Sequence, residues 1–213
     1  GTNIFVRNPE TGTYVKFSEL PINERTKPLI GTIVAYYGNR VGFDGNVAVV
    51  DVPADKVDGS KPIMHSDQST GTISINTNGG IYKALNDFNY LKNVIGHEVF
   101  HLLEGSQENY TYWKHYLVYA KQIESDNFKN VKQIEKIGTV AGAVQRLLNS
   151  YHQDAPEEGN KGTFNQDLQN LNQSLSKYNI YVDITDDKMK FTISDSENVY
   201  DEVEYKKLDK PEH

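Results

Sequence analysis

The chain has 213 residues, 37% hydrophobic and 24% charged, enough for a substantial core in one large domain or two small ones. Its net charge of -7 and pI near 5.4 argue against a phosphate-backbone partner, and no apolar run approaches the roughly 18 residues of a membrane span. Cysteine is absent, which excludes disulfides and thiolate metal sites and leaves His, Asp and Glu as the strong ligands.

Residues 3–7 and 14–17 flank a Pro9-Glu10-Thr11-Gly12 turn and predict a hairpin. Residues 32–37 and 46–52 are β-branched and apolar and predict two further strands between Gly-rich turns. Residues 51–62 read as a loop. Residues 72–77, Thr-Ile-Ser-Ile-Asn-Thr, alternate as a half-buried strand does, and Asn78-Gly79-Gly80 then breaks the pattern.

From residue 86 to 178 the pattern turns helical. The first helix spans 87–104 without proline, with Leu91, Ile95, Val99 and Leu102 on one stripe and Tyr90, Val94, His97 and His101 on a second. Asp87 is its expected N-cap and Gly105 its stop. Helices are predicted over 108–125, 131–151 and 164–178, the last carrying Phe164, Leu168, Leu171, Leu175 and Tyr178 on one face. Pro156, Gly159 and Gly162 mark a loop before it. In the tail, Ile180, Val182 and Ile184 alternate, Asp186-Asp187 turns the chain, and Met189, Phe191 and Ile193 alternate again, which predicts a C-terminal hairpin. Glu202 and Glu204 read as a solvated face. Mostly strand to residue 85, helix to 178, then a hairpin and tail, is an α+β pattern, taken as a single domain over 1–213.

Within the first predicted helix, residues 97–101 read His-Glu-Val-Phe-His. Positions i and i+4 lie one above the other on a helix, so the imidazoles of His97 and His101 can converge on one metal ion, with Glu98 beside it as general base. With 6 His and 14 Glu in the chain, chance yields such a pattern in roughly one such chain per hundred.

A catalytic zinc usually takes three protein ligands and keeps a fourth position for water. Glu104 lies seven residues beyond His97, about 10 Å along the helix axis, too far for both to join His101 at one ion. Glu104 and Gln107 also stand where a metzincin has glycine and histidine, which excludes that class. Glu124 has a thermolysin-like separation, but Ile123-Glu124-Ser125-Asp126 lacks the Asn-Glu-x-x-Ser-Asp pattern of those enzymes. His115 fits best. The connection at Gly105-Ser106 is short, and Glu108, Tyr112, His115, Tyr119 and Gln122 fall on one face of the next helix. Glu108 and Glu124 stay open as alternatives. Tyr119, one turn beyond His115, reads first as a groove-lining tyrosine and second as a hydrogen-bond donor to an oxyanion. His65, His152 and His213 have no second ligand at useful spacing.

The run Leu91-Lys-Asn-Val-Ile-Gly-His-Glu-Val-Phe-His101, followed by His115-Tyr-Leu-Val-Tyr-Ala-Lys-Gln122, resembles the zincin-like metallopeptidase domains at the C-termini of Rhs-repeat-associated proteins of Bacteroidetes. In those domains an HExxH helix precedes a His-x-x-Val-Tyr-x-x-Gln element. The likeness covers about residues 70–125. It implies a zincin-like fold, Zn2+ held by His97, His101 and His115, Glu98 as catalytic acid/base, and a toxin or effector role. The motifs of this likeness do not extend to the residues after 130.

The expectation is therefore a zinc metallopeptidase acting on a peptide or protein substrate, with no nucleic acid and no membrane span. Strand 72–77 is expected at the sheet edge, where an extended substrate would add as a further strand. The alternatives are an inactive zincin-fold binding or adhesion module and a hydrolase of a non-peptide amide. The first residue is Gly rather than Met, which reads as an added residue or the start of an excised domain, so a targeting segment is expected outside this sequence, and the polar, tyrosine-rich composition points to a secreted or cell-surface location.

Overall fold

A computed structural model describes residues 1–56, 59–104, 110–185 and 187–207. The expected stop at Gly105, the Gly105-Ser106 connection, Glu108, Asp186 and His213 lie outside the described residues. Among the described residues there are five α-helices and eight strands in three sheets, an α+β composition. None of those helices is long and apolar enough to cross a membrane. The chain divides into two compact units, Gly1–Ser106 and Gln107–His213.

The first unit opens with the expected hairpin, β1 (Phe5–Arg7) antiparallel to β2 (Tyr14–Lys16). Residues 32–37 do not form the expected strand; they lie within helix α1 (Lys27–Asn39). Pro28 sits in the first turn, and Ile30, Val34 and Gly38 recur every four residues on its buried face, so a helical stripe outweighs the β-branched composition. A Cβ on Gly38 would stand 3.0 Å from Phe43 Cδ1 and 3.6 Å from Ile95 Cγ2, a close approach that the glycine permits.

Strands β3 (Val47–Val50), β4 (Met64–Asp67) and β5 (Thr72–Asn76) form a mixed sheet in the order β3-β5-β4, with β5 parallel to β3 and antiparallel to β4. Thus 72–77 is the centre of the sheet, not its edge. Ile73 and Ile75, both fully buried, make it a core strand, and the edge position beside it falls to β4. Asn76 closes β5 by bonding to both the N–H and C=O of Val52 and to the carbonyl of Pro62, which ties down the loop. Helix α2 (Phe88–Leu103) follows. Asp87 caps it as expected, accepting from the backbone N–H groups of Asn89 and Tyr90 and from the Thr2 hydroxyl. Leu91 and Ile95 are fully buried, while Val99 and Leu102 of the same stripe are half-buried.

The second unit contains α3 (Tyr112–Glu124), α4 (Gln133–Gln153) and α5 (Phe164–Ser176), near their expected bounds. Helix α4 buries Val140, Ala143, Val144, Leu147 and Leu148 at helical spacing, and burial of each large apolar side chain contributes about 1.5–3 kcal/mol. The expected hairpin, β6 (Tyr181–Thr185) against β7 (Lys190–Ser194), gains a third antiparallel strand, β8 (Val199–Glu204), beside β7. Asn172 of α5 bonds to both the N–H and C=O of Val182 at the outer side of β6.

Candidate metal centre

The site residues of the first unit hang on α2 and β4. His97 and His101, 8% and 2% exposed, stack one helical turn apart with their Nε2 atoms 3.1 Å from each other. Two imidazole nitrogens that close can share one N–H in a hydrogen bond or, with both lone pairs free, hold a cation between them. The ring Nδ1 of His101 lies 3.4 Å from Glu104 Oε2.

Glu98 is buried beside them, and its carboxyl accepts hydrogen bonds from the hydroxyl and backbone N–H of Ser66. Burial pushes its pKa up; His101, the Ser66 hydrogen bonds and His65 oppose this. On β4 the side chains alternate, so Met64 and Ser66, and Gln68 just beyond the strand, share one face. The Gln68 amide donates to the backbone carbonyl of His101, which also accepts from Glu104 N at 3.2 Å. One side of β4 thereby holds the motif helix at two points, the base and the second histidine.

In the second unit, His115 is 5% exposed on the first turns of α3. Thr111 caps that helix by accepting from Lys114 N at 3.2 Å, and the Asp154 carboxylate accepts from the N–H groups of Tyr112 and Trp113 at 3.1 and 3.0 Å. Asp167 accepts from Trp113 Nε1 and Thr163 Oγ1. The ring of His115 lies beside Tyr110 and Tyr119, with centroids 5.9 and 5.2 Å away. Tyr119 in turn packs on Gly142 of α4, and the Arg146 guanidinium stands 5.5 Å from its ring centre.

His97, His101 and His115 each offer one ring nitrogen, and those atoms all lie within 4.8 Å of one another. The three buried histidines could hold a metal ion. Of the other ligands considered, Glu124 is exposed at the end of α3 and accepts from the Ser174 hydroxyl at 3.0 Å. Glu104 reaches His101 itself. A set of three neutral imidazoles fits zinc or another first-row divalent ion.

Ser66, Gln68 and His65 were not singled out as site residues by sequence reasoning. Met64-His65-Ser66-Asp67 has one apolar residue in four, so nothing marks it as a strand. No local signal picks out Ser66 and Gln68, which precede the motif helix with the whole of β5 in between. His152 makes its own contacts elsewhere, with the Lys188 carbonyl at 2.9 Å and the Tyr205 ring.

A family model described as Metallopeptidase toxin 2 matches residues 1–182. No curated protein and no solved structure matches the chain.

Proposed function

Because the chain belongs to the metallopeptidase toxin 2 family, we propose that it is a zinc-dependent peptidase in which His97, His101 and His115 hold the ion and Glu98 is the general base. The observation that carries this reading is the convergence of three buried imidazoles within 4.8 Å, two of them from the HExxH helix. The proposal extends to a zincin-like organisation of the chain and to a toxin that acts on a protein after secretion.

Zinc, when bound, supplies a Lewis acid that polarises the scissile carbonyl and acidifies a water. Glu98 takes a proton from the attacking water onto its carboxylate as the water oxygen bonds to the carbonyl carbon. The same carboxyl then delivers that proton to the nitrogen of the breaking C–N bond, and the products are one carboxylate and one amine. Ser66 steadies the carboxylate with its hydroxyl and N–H, and burial favours the protonated intermediate form. General acid/base catalysis of this kind contributes about 10²–10⁴-fold. The edge strands of the mixed sheet are β3 and β4, and β4 carries Ser66 beside Glu98, so an extended substrate segment would pair with β4 rather than with β5.

The test is metal analysis and proteolysis of the zinc-reconstituted protein beside a Glu98→Gln variant. The reading expects one zinc per chain in both and cleavage of an unfolded protein substrate only by the parent. Cleavage retained by Glu98→Gln would remove the base from the mechanism. No zinc bound under replete conditions would favour a binding module.

A further inference from the structure

We infer that Glu104 is the positioning residue of the metal centre: its carboxylate accepts the Nδ1 proton of His101 and so fixes the tautomer that turns Nε2 toward the ion. This rests on the reading of His101 as a metal ligand.

The geometry is local to one turn. Glu104 follows His101 by three residues, the spacing at which helix side chains meet. Its Oε2 is 3.4 Å from His101 Nδ1, and the two side chains are 19% and 3% exposed. That oxygen is buried and has no formed hydrogen bond; the His101 Nδ1, at 3.4 Å but without the alignment of a formed bond, is the group positioned to satisfy it.

The location is otherwise costly. Glu104 is the C-terminal cap residue of α2. A carboxylate there meets the negative end of the helix dipole, which disfavours it. Desolvation of a mostly buried carboxylate adds to this. An N–H donor on His101 offsets both. A neutral imidazole has one N–H and one lone pair. With the proton at Nδ1 facing Glu104, the lone pair sits at Nε2, the atom that already faces His97 Nε2 at 3.1 Å. Gln68 and the Glu104 N–H both bond to the His101 carbonyl, so the backbone of the residue is held while the carboxylate orients the ring. Partners of this kind, acting through a ligating histidine, typically change metal affinity 10–100-fold.

The experiment has two readouts on the full chain. The first is zinc affinity by competition with a chromophoric chelator for the parent, Glu104→Gln, Glu104→Ala and His97→Ala. The second is the His101 tautomer in the metal-free protein, read from side-chain ¹⁵N and ¹³C shifts. Glu104→Ala is expected to weaken zinc binding by 10–100-fold and to shift His101 toward a mixture of tautomers. Glu104→Gln, whose amide oxygen can still accept, is expected to fall between Ala and the parent in both readouts. The metal-free thermal midpoint of each variant shows that the fold is kept. If His97→Ala abolishes zinc binding while Glu104→Ala leaves affinity and tautomer at parental values, the positioning role is overturned and the metal reading stands. If His97→Ala binds zinc as the parent does, the metal reading falls and this inference with it.

Discussion

Replacing Gly142 with alanine tests how His115 is supported. The substitution has two opposed effects. In a helix interior, alanine is favoured over glycine by about 0.5–1 kcal/mol. Against this, the new Cβ would stand 2.8 Å from Cε1, Cζ and Oη of Tyr119. Carbon atoms rest at about 3.5–4.0 Å, so the ring must retreat by about 0.7 Å or more. Overpacking costs about 1–3 kcal/mol, and the lower end applies because Tyr119 is half-buried and its far edge can yield. In the parent, Gly142→Ala should therefore range from neutral to about 1 kcal/mol destabilising. In a Tyr119→Ala background the obstacle is gone, and the same change should stabilise by about 0.5–1 kcal/mol. The coupling energy between the two sites is then about 1–2 kcal/mol. Trp113 is the chain's one tryptophan and sits at the start of α3, so urea unfolding followed by its fluorescence reports on this unit. Because the Tyr119 and His115 rings lie 5.2 Å apart, zinc affinity should fall with Gly142→Ala alone. An identical stability change in both backgrounds would refute the argument, since it would mean that Tyr119 does not occupy the space over Gly142.

Chelation should lower the thermal midpoint of the zinc-loaded protein, because a ligand at about one hundred times its Kd stabilises the fold by about 2.7 kcal/mol; in His97→Ala, chelator should leave the midpoint unchanged. Ser66→Ala removes a hydrogen bond to a buried carboxyl, worth about 1.5–3 kcal/mol where the group is charged, and should lower peptidase activity while keeping the zinc stoichiometry, as metal analysis would show. Burial raises the pKa of Asp167 above its usual value of 3.8, opposed by its bonds from Thr163 and Trp113. A raised carboxyl pKa stabilises the fold below the unfolded value and withdraws that stability as pH climbs through the folded one. As pH rises above about 3.8 the parent should thus lose thermal midpoint relative to Asp167→Asn, which keeps an acceptor for both donors and does not titrate.

Helix α2 was readable because three independent signals agree: the stripe through Leu91 and Ile95, the cap at Asp87, and the i, i+4 histidines. Helix α1 was not, because Thr32-Ile-Val-Ala-Tyr-Tyr37 favours a strand locally, and only packing of Ile30, Val34 and Gly38 reverses that preference. The existence of β5 was visible in its alternation, but its rank in the sheet was not. An alternating strand pattern says one face is buried, not how many neighbours the strand has. Strand β8 pairs with β7 through a register shift, with three steps from Tyr200 to Val203 against two from Phe191 to Ile193, and that extra residue breaks the alternation that would have announced β8. In the candidate site, the closeness of His97 and His101, with Glu98 beside them, was legible in their spacing on one helix. The partners Ser66 and Gln68 depend on where β4 lies against α2, which no local pattern encodes. Glu104 was weighed only as a ligand, and its distance from His97 concealed its nearness to His101.

The Asn172 amide on β6 bears on association. An outer strand whose N–H and C=O groups point to solvent recruits any extended chain that passes, including another copy of itself. At Val182 both groups are already engaged by one side chain at 2.8 and 3.0 Å, and the neighbouring Ile180 N–H is taken by Leu175 O. Asn172 thus does the work of a fourth strand without presenting a new template. At this point of the sheet, that single amide leaves no backbone group for a second chain to add to.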